Sequence, residues 1–241
     1  MILIVLAAGR GSRLNDKTKN LPKCLVKVKN KPIINYLINF KKYFSKTIFV
    51  CGYKYKKIIK NFSPNENNLF ILNKNYKKTN MVYSLFCVKK NLIKKKDIVV
   101  CYSDIIFDYK IISKLKKIKK THIPINLNWF ENWKKRMSIK QIKVDAEELE
   151  ISKKNIKCIG NQIQNELPKY QFMGIIKILN KDFFKLQKYF KSLKNNKIEF
   201  TKFLNLAIQN KIIKLNYFKS KHFWYEIDSI KDLKVAEKEL I

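Results

Sequence analysis

The first 28 residues, MILIVLAAGRGSRLNDKTKNLPKCLVKV (residues 1–28), decide the fold class of this chain. Residues 1–6 are all apolar, which predicts a buried strand, and at Ala7 the chain passes into a small, basic loop with two glycines. Glycine lets the backbone come close to a ligand, and successive loop N–H groups can form a cradle for an anion. Arg13 and Lys23 can add charge to this cradle. The stretch therefore predicts a polyphosphate site beside a buried strand.

Apolar and amphipathic segments alternate over the rest of the first half. Strands are predicted at 47–52, 69–72 and 98–102, and helices at 31–44, 55–62 and 79–92. This alternation predicts an α/β fold with a parallel, doubly wound sheet, in which ligands bind beyond the carboxyl ends of the strands. The glycine loop and Asp104, which follows the fourth predicted strand, are then expected at the same edge.

The pattern changes after residue 118. Strand-like segments are predicted at 121–130, 156–159, 172–179, 212–218 and 223–227, with helices at 182–193, 199–210 and from Ser229 onward. Ser229 and Asp232 have the spacing of a capping box, which marks the start of the last helix. Since no linker or repeat interrupts the chain, a single domain over residues 1–241 is predicted, with halves at 1–118 and 119–241.

The composition limits the classes of protein that this chain can belong to. The hydrophobic fraction of 46% is ample for a core, and no apolar run reaches the roughly 18 residues of a membrane span. With no targeting signal, a cytoplasmic protein without a membrane partner is expected. The five cysteines lack C-x-x-C spacing, which disfavours zinc and a disulfide framework.

The formal net charge of +35 raises the possibility of a nucleic-acid partner. However, lysine is spread along the whole chain among many Asn and Ile residues, as a biased composition would produce, which disfavours nucleic acid as a partner. Arginine is rare, and Arg10 and Arg13 both fall in the opening loop, which indicates a need for the planar guanidinium group there.

Combined with Pro22 and Lys23, the opening loop resembles the nucleotidyltransferase superfamily, which joins an NTP to a phosphorylated small molecule. The family signature L-A-A-G-x-G-[ST]-R-[LM] followed by P-K stands here as Leu6, Ala7, Ala8, Gly9, Arg10, Gly11, Ser12, Arg13 and Leu14, then Pro22 and Lys23. The resemblance implies a Rossmann-like, mixed and mostly parallel sheet flanked by helices. It also implies that residues 6–9, 11 and 12 bind the nucleotide and that Arg13 and Lys23 are catalytic.

Two aspartates match the family's metal ligands. Asp104 follows the fourth predicted strand, and Asp228 ends the last predicted strand, WYEID, within the C-terminal segment WYEIDSIKDL. Mg²⁺ prefers one or two carboxylates together with phosphate oxygens and water. The resemblance therefore implies Mg²⁺ as cofactor, held by Asp104 and Asp228 beside the triphosphate. Ser103 stands where the family commonly has glycine.

Residues 73–90 resemble the matching segment of phosphocholine cytidylyltransferases and their small CTP-dependent relatives. The likeness implies that Asn80 and Ser84 read the pyrimidine of CTP. Amide and hydroxyl groups near a helix start can pair with a base edge, although such residues also commonly cap helices.

Residues 129–147 resemble a W-x-x-x-W-x-x-R and D-A-E pattern of cytidylyltransferases that act on phosphonates or phosphorylated amines. An acceptor site of Trp129, Trp133, Arg136, Asp145, Glu147 and Trp224 is implied. Tryptophan faces can hold an ammonium group, carboxylates can pair with it, and Arg136 can hold a phosphate or phosphonate. Packing of the tryptophans in the core is the alternative reading.

The predicted function is transfer of CMP from CTP to a small phosphonate or phosphorylated amine, such as 2-aminoethylphosphonate or phosphocholine, with release of pyrophosphate. The nucleotide would bind to residues 1–118 and the acceptor to residues 119–241, and the enzyme could form a homodimer. Two alternatives remain open: a sugar-1-phosphate nucleotidylyltransferase, which shares the opening motif, and a basic nucleic-acid-binding protein.

Overall fold

The computed structural model describes residues 1–65, 67–164 and 166–240. The strands are β1 Ile2–Ala7, β2 Lys27–Val28, β3 Lys31–Pro32, β4 Lys46–Cys51, β5 Asn68–Leu72, β6 Ile98–Tyr102, β7 Ile105–Phe107, β8 His122–Asn126, β9 Glu147–Ser152, β10 Asn155–Gln162, β11 Gln171–Phe172, β12 Ile175–Ile178, β13 Asn216–Ser220 and β14 Trp224–Glu226. The helices are α1 Ile33–Ile38, α2 Tyr55–Phe62, α3 Met81–Phe86, α4 Lys90–Ile93, α5 Lys110–Lys117, α6 Trp129–Lys134, α7 Ile139–Asp145, α8 Asn180–Leu193, α9 Phe200–Gln209 and α10 Ile230–Glu239. Short 3₁₀ turns lie at Ser12–Thr18, Lys23–Leu25 and Lys41–Tyr43.

One large mixed sheet organises the molecule, with strand order β5-β4-β1-β6-β12-β8-β13-β10-β9 and with β11 paired to β8. The strands β5, β4, β1 and β6 run parallel, as the sequence predicts. Beyond them, β12 lies antiparallel between β6 and β8, so the sheet is mixed rather than wholly parallel. The α/β fold class is confirmed.

Strand β1 lies inside the parallel half because all six of its side chains are apolar and buried. Ile2, Ile4 and Leu6 pack into one core cluster on one face of the sheet, and alternate residues pack into another on the opposite face. A strand that is buried on both faces requires this continuous apolar run. The opening loop is thereby held at the carboxyl edge of the sheet.

Several predicted segments have the right type but different bounds. The helix predicted at 31–44 begins only at Ile33, because Lys31–Pro32 pairs with β2. The helix predicted at 79–92 divides into α3 and α4, since Lys89 between them has extended backbone. Strand β8 ends at Asn126, well before residue 130, because α6 begins at Trp129.

None of the helices within residues 1–65, 67–164 and 166–240 has both the length and the apolar character that crossing a bilayer requires. The division of the chain at residue 118 stays a prediction.

His122 provides a pH-dependent contribution to stability. Burial lowers the pKa of its imidazole to about 4, and the nearby charge of Lys120 adds to this. An unfolded histidine has a pKa of about 6.5, so the unfolded chain binds the proton first as the pH falls. The contribution is complete above about pH 6.5 and is lost as the pH falls towards 4, by about 2 kcal/mol after allowance for partial solvent exposure.

Chemical denaturation of the wild type and of His122→Asn between pH 7.5 and 4.5 measures this effect. We expect the wild type to lose about 2 kcal/mol more than the variant. His222→Asn is the matched control, because His222 is more exposed and lies beside the Asp108 carboxylate. Parallel pH profiles for the wild type and His122→Asn would contradict the assignment.

Candidate active site

The centre of the site is the ammonium group of Lys23, which donates hydrogen bonds to Asp104 Oδ2 and Asp228 Oδ1. Arg13 reaches the second oxygen of Asp228 at 2.8 Å and Asp145 Oδ1 at 3.7 Å. The structure thus brings together the predicted catalytic pair and both predicted metal ligands at the carboxyl edge of β1 and β6. The convergence is observed, and the roles of these residues stay predictions.

Two local features place these groups. Gly11 has a φ of +74°, and a Cβ at this position would lie 2.6 Å from Lys23 Cβ, so only glycine lets the loop pass over the lysine stem. Asp104 and Asp228 meet because β14 pairs antiparallel with β7, with the Ile227 N–H donating to the Asp104 carbonyl at 2.9 Å. A pairing three residues long therefore joins residues that are more than 120 positions apart.

The electrostatics of this group are strongly coupled. Burial alone would lower the pKa of Lys23, but the charges of Asp104 and Asp228 raise it above its usual value. Burial alone would raise the pKa of Asp228, yet Lys23 and Arg13 hold it below its usual value. Burial, together with the negative charges of Asp228 and Asp104, raises the pKa of Glu226 well above its usual range. At neutral pH the Lys23 ammonium is therefore charged and lies beside the ionised carboxylate of Asp228.

The donor set fits a hard divalent cation. Asp104 Oδ1 is buried and has no hydrogen-bond partner among the described residues, which leaves one carboxylate oxygen free to ligate. Residues 1–65, 67–164 and 166–240 contain no group of three or more His, Cys, Asp or Glu residues arranged for a metal. Two aspartates suffice for Mg²⁺ only when phosphate and water supply the other ligands. The centre therefore fits a Mg²⁺ ion that takes two ligands from the aspartates and the others from phosphate and water.

The opening loop rests on the loop that follows β4. The Tyr53 N–H donates to the Ala8 carbonyl at 3.0 Å, and the Arg10 guanidinium lies 5.7 Å from the centre of the Tyr53 ring. A Cβ on Gly52 would lie 2.6 Å from the Ala8 carbonyl oxygen, whereas a Cβ on Gly9 would meet no atom within 4 Å. Gly52 is thus required by packing, and Gly9 faces open space that a ligand can enter.

Substitution of Gly52 and of Gly9 by alanine should distinguish a glycine required for packing from one required for ligand binding. Gly52→Ala is expected to lower the free energy of unfolding by about 1–3 kcal/mol, because a methyl group must displace Ala8 or Tyr76. Gly9→Ala should leave stability within about 0.5 kcal/mol but weaken triphosphate binding about tenfold, since its methyl group occupies the open space. Thermal denaturation and nucleotide titration measure both effects. Equal stability losses in the two variants would contradict this distinction.

Asn80 and Ser84 are tied into local structure. Asn80 is the N-cap of α3, where its side chain accepts the Met81 N–H at 2.7 Å. Ser84 is buried, and its hydroxyl oxygen accepts a hydrogen bond from the Asn73 amide at 3.0 Å. The role of Asn73 was not predicted from the sequence. Pyrimidine reading by Asn80 and Ser84 stays a prediction, and their capping and packing roles are observed.

The three tryptophans of the predicted acceptor site are packed in the core. Trp129 and Trp133 meet edge to face at 5.2 Å, and the Trp129 Nε1 donates to the Pro168 carbonyl at 3.2 Å. The exposed fractions of Trp129, Trp133 and Trp224 are 2%, 6% and 2%. None of the three lines the cavity beside Asp228, and burial of such large rings is more favourable than exposure. Their part in acceptor binding stays a prediction.

The charged residues of the predicted acceptor site do not all lie in one place. Arg136, Asp145, Arg13 and Asp228 line a cavity of about 630 Å³ beside the centre. Glu147 lies apart from this lining and accepts a hydrogen bond from the Thr201 hydroxyl at 2.9 Å. Burial raises the pKa of Glu147.

Asp232, read from the sequence only as a helix cap, also holds the active-site loop. Its Oδ2 accepts hydrogen bonds from the backbone N–H groups of Asp228 at 2.9 Å and of Ser229 at 2.6 Å. Its Oδ1 pairs with Arg136 at 2.7 Å, and both side chains are buried. Arg136 lies 4.7 Å over the Trp133 ring. Because Arg136 is 96 positions from Asp232, only the capping half of this arrangement was visible in the sequence.

Asp232→Ala is expected to lower kcat about tenfold while the acceptor KM stays near the wild-type value. The reason is that the Asp228 backbone loses its acceptor, whereas Arg13, Arg136 and Asp145, which are proposed to contact the acceptor, remain in the cavity. Ser229→Ala is the matched control, since it removes the cap hydroxyl but leaves Asp232 on the Asp228 N–H. It should lose about 1 kcal/mol of stability with kcat near wild type. An equal fall in kcat in both variants would show that capping alone matters.

The loop, the lysine between two aspartates and the mixed sheet define a nucleotide-binding α/β enzyme, and comparisons with known proteins agree. The model of the family described as nucleotidyl transferase matches residues 2–241. CTP:phosphoglutamine cytidylyltransferase of Campylobacter jejuni is 31% identical over 98% of this chain and 98% of its own length. Choline-phosphate cytidylyltransferase of Streptococcus pneumoniae is 38% identical over 38% of this chain and 41% of its own length.

Solved structures share the fold. The CTP:phosphocholine cytidylyltransferase of Streptococcus pneumoniae superposes with a TM-score of 0.78 at 21% identity, over 100% of this chain and 99% of that one. The inositol-1-phosphate CTP transferase of T. maritima gives 0.78 at 17% identity, over 100% of this chain and 97% of that one. The chain belongs to the nucleotidyl transferase family, and the enzyme class predicted from the opening loop is confirmed.

Proposed function

We propose that this enzyme is a CTP-dependent cytidylyltransferase that transfers CMP to a small phosphorylated amine, amino-acid derivative or phosphonate and releases pyrophosphate. The observation that carries the proposal is the Lys23 ammonium between Asp104 and Asp228, directly under the glycine loop. Similarity over nearly its whole length to the Campylobacter jejuni cytidylyltransferase supports CTP as the donor. In this proposal residues 1–118 bind CTP and residues 119–241 bind the acceptor.

The reaction needs positioning and neutralisation of charge more than a reactive side chain. A phosphate or phosphonate oxygen of the acceptor is already anionic, so it can attack the α-phosphorus without a general base. A new P–O bond forms there while the bond to the β-phosphate bridging oxygen breaks, and pyrophosphate takes that electron pair. Arg13 and Lys23 stabilise the charge that develops on the phosphoryl oxygens. Asp104 and Asp228 would hold Mg²⁺, which would supply further neutralisation of the triphosphate when bound.

The acceptor is proposed to enter the 630 Å³ cavity that opens on Asp228. Arg13 and Arg136 offer guanidinium groups for its phosphoryl end, and Asp145 offers a carboxylate for an amine. The face of Trp133 already carries the Arg136 guanidinium at 4.7 Å. An aromatic box for a quaternary ammonium is therefore incomplete, which favours a primary amine, amide or amino acid over choline.

A screen of pyrophosphate release tests the proposal. Four NTPs are combined with phosphoglutamine, phosphocholine, 2-aminoethylphosphonate and hexose 1-phosphates, with and without Mg²⁺. We expect turnover with CTP and an amine-bearing or amide-bearing acceptor, and none after the metal is chelated. Turnover only with hexose 1-phosphates would overturn the proposal in favour of a sugar nucleotidylyltransferase. Tight, steeply salt-dependent DNA or RNA binding without any NTP turnover would overturn it in favour of a nucleic-acid-binding protein.

A further inference from the structure

A second cavity, of about 1030 Å³, lies far from the proposed active site. It opens where β8, β10 and β13 begin and where β12 ends, as shown by the pairs His122 with Asn216 and Lys177 with His122. The glycine loop and Asp104 instead follow the carboxyl ends of β1 and β6. The two cavities therefore occupy opposite edges of the same sheet. We call this second one the lysine cavity.

The wall of the lysine cavity is unusually basic. Eight of its eighteen lining residues are lysines, whereas the whole chain has 50 lysines among 241 residues. The eight, all exposed, are Lys119, Lys120, Lys153, Lys154, Lys181, Lys185, Lys211 and Lys214. The biased composition accounts for about half of this number, so the concentration exceeds what even spreading of lysine would produce.

These lysines are also left without acidic partners. The ion pairs within the described part of the chain include none of the eight. The lining contains one acid, Asp182, which is buried and accepts the hydroxyl hydrogen of Thr121. By contrast, the cavity beside β9 mixes Glu148, Glu150 and Glu166 with its lysines. Like charges facing one concave space repel, and an anion bound there would relieve the repulsion.

The shape and chemistry of the lysine cavity select the kind of anion. Lysine ammonium groups bind phosphate as point charges, and a cavity of this size accommodates a nucleotide-sized ligand. Its lining holds no Trp, Tyr or Phe on which bases could stack, which disfavours single-stranded nucleic acid. Ile208 and Ile212 provide an apolar wall on one side. A small, multiply charged phosphate compound meets these requirements better than a long polymer.

We propose that the lysine cavity is a binding site for a small polyphosphate, free or as the charged end of an ester, separate from the site of nucleotidyl transfer. The inference does not depend on the identity of the acceptor or of the NTP. It also gives part of the +35 net charge a function that composition alone does not explain.

Calorimetric titration with inorganic tripolyphosphate tests the proposal. The variant Lys119→Gln/Lys154→Gln/Lys181→Gln/Lys214→Gln removes half of the cavity lysines. The control Lys27→Gln/Lys188→Gln/Lys234→Gln/Lys238→Gln removes the same charge from exposed positions outside the cavity. We expect one class of tripolyphosphate site to weaken at least about tenfold in the cavity variant and to stay unchanged in the control. Pyrophosphate release under saturating substrates should match the wild type in both.

Three outcomes would overturn the proposal. Equal weakening in both variants would show a diffuse field from the net charge, and unchanged binding in both would place every tripolyphosphate site elsewhere. Binding of duplex DNA through the cavity lysines without binding of tripolyphosphate would assign the surface to nucleic acid. A parallel titration with a nucleoside triphosphate separates the two sources of the phosphate. Only the binding that the cavity variant loses is compared, because the active site is also proposed to bind the nucleotide. In that comparison, tighter binding than that of tripolyphosphate assigns an ester, which uses the apolar wall, and equal binding assigns the free polyphosphate.

Discussion

Asp228→Asn is expected to lower kcat at least about a hundredfold while the protein stays folded. The carboxylate accepts hydrogen bonds from Lys23 and Arg13 and is the meeting point of the proposed catalytic groups. Its replacement by a neutral amide removes one proposed metal ligand and one counter-charge. The backbone of residue 228 should keep its place, because Asp232 holds its N–H group and not its side chain.

The measurement is pyrophosphate release as a function of Mg²⁺ concentration, with circular dichroism as the check on folding. The Mg²⁺ concentration for half-maximal rate should rise in Asp228→Asn and also in Asp104→Asn. Asp108→Asn is the matched control, since Asp108 pairs with His222 at 3.1 Å and lies outside the site. Wild-type rates and wild-type Mg²⁺ dependence in Asp228→Asn would reject the metal assignment.

The parallel half of the sheet could be predicted because its signals are local. Six apolar residues in β1 require burial on both faces, and β6 and α2 have the bounds that the sequence indicates, at 98–102 and 55–62. The antiparallel insertion of β12 between β6 and β8 could not be predicted, because a short apolar segment does not specify its partner or its direction.

The candidate site was predictable in its parts but not in its connections. Lys23, Asp104 and Asp228 were each marked by their position beside a strand end or in a motif. Their contact depends on the three-residue pairing of β7 with β14, for which no short pattern exists. The ion pair between Arg136 and Asp232 likewise joins residues that are far apart in the sequence. Residue type alone is also ambiguous: tryptophan suits both a ligand site and a core, and the structure shows that the three tryptophans are buried.

Lys23→Met should abolish most turnover and also reveal what the ammonium group does in the absence of substrate. In the wild type it lies between the carboxylates of Asp104 and Asp228, with only 11% of its side chain exposed. Methionine fills a similar volume under Gly11 but leaves the two negative charges facing each other. We expect kcat to fall at least about a hundredfold and the free energy of unfolding to fall by about 1–3 kcal/mol.

The response to Mg²⁺ distinguishes this charge effect from lost packing. In the wild type a divalent cation must compete with the Lys23 ammonium for Asp104 and Asp228, whereas in Lys23→Met the carboxylates are free to bind it. Millimolar Mg²⁺ without nucleotide should therefore raise the melting temperature of Lys23→Met by several degrees, against little change in the wild type. Cys24→Ala is the packing control, because Cys24 is buried beside Lys23 but carries no charge to the centre. Equal Mg²⁺ responses in all three proteins would mean that the cation does not bind at Asp104 and Asp228, because loss of the Lys23 ammonium should strengthen Mg²⁺ binding only there.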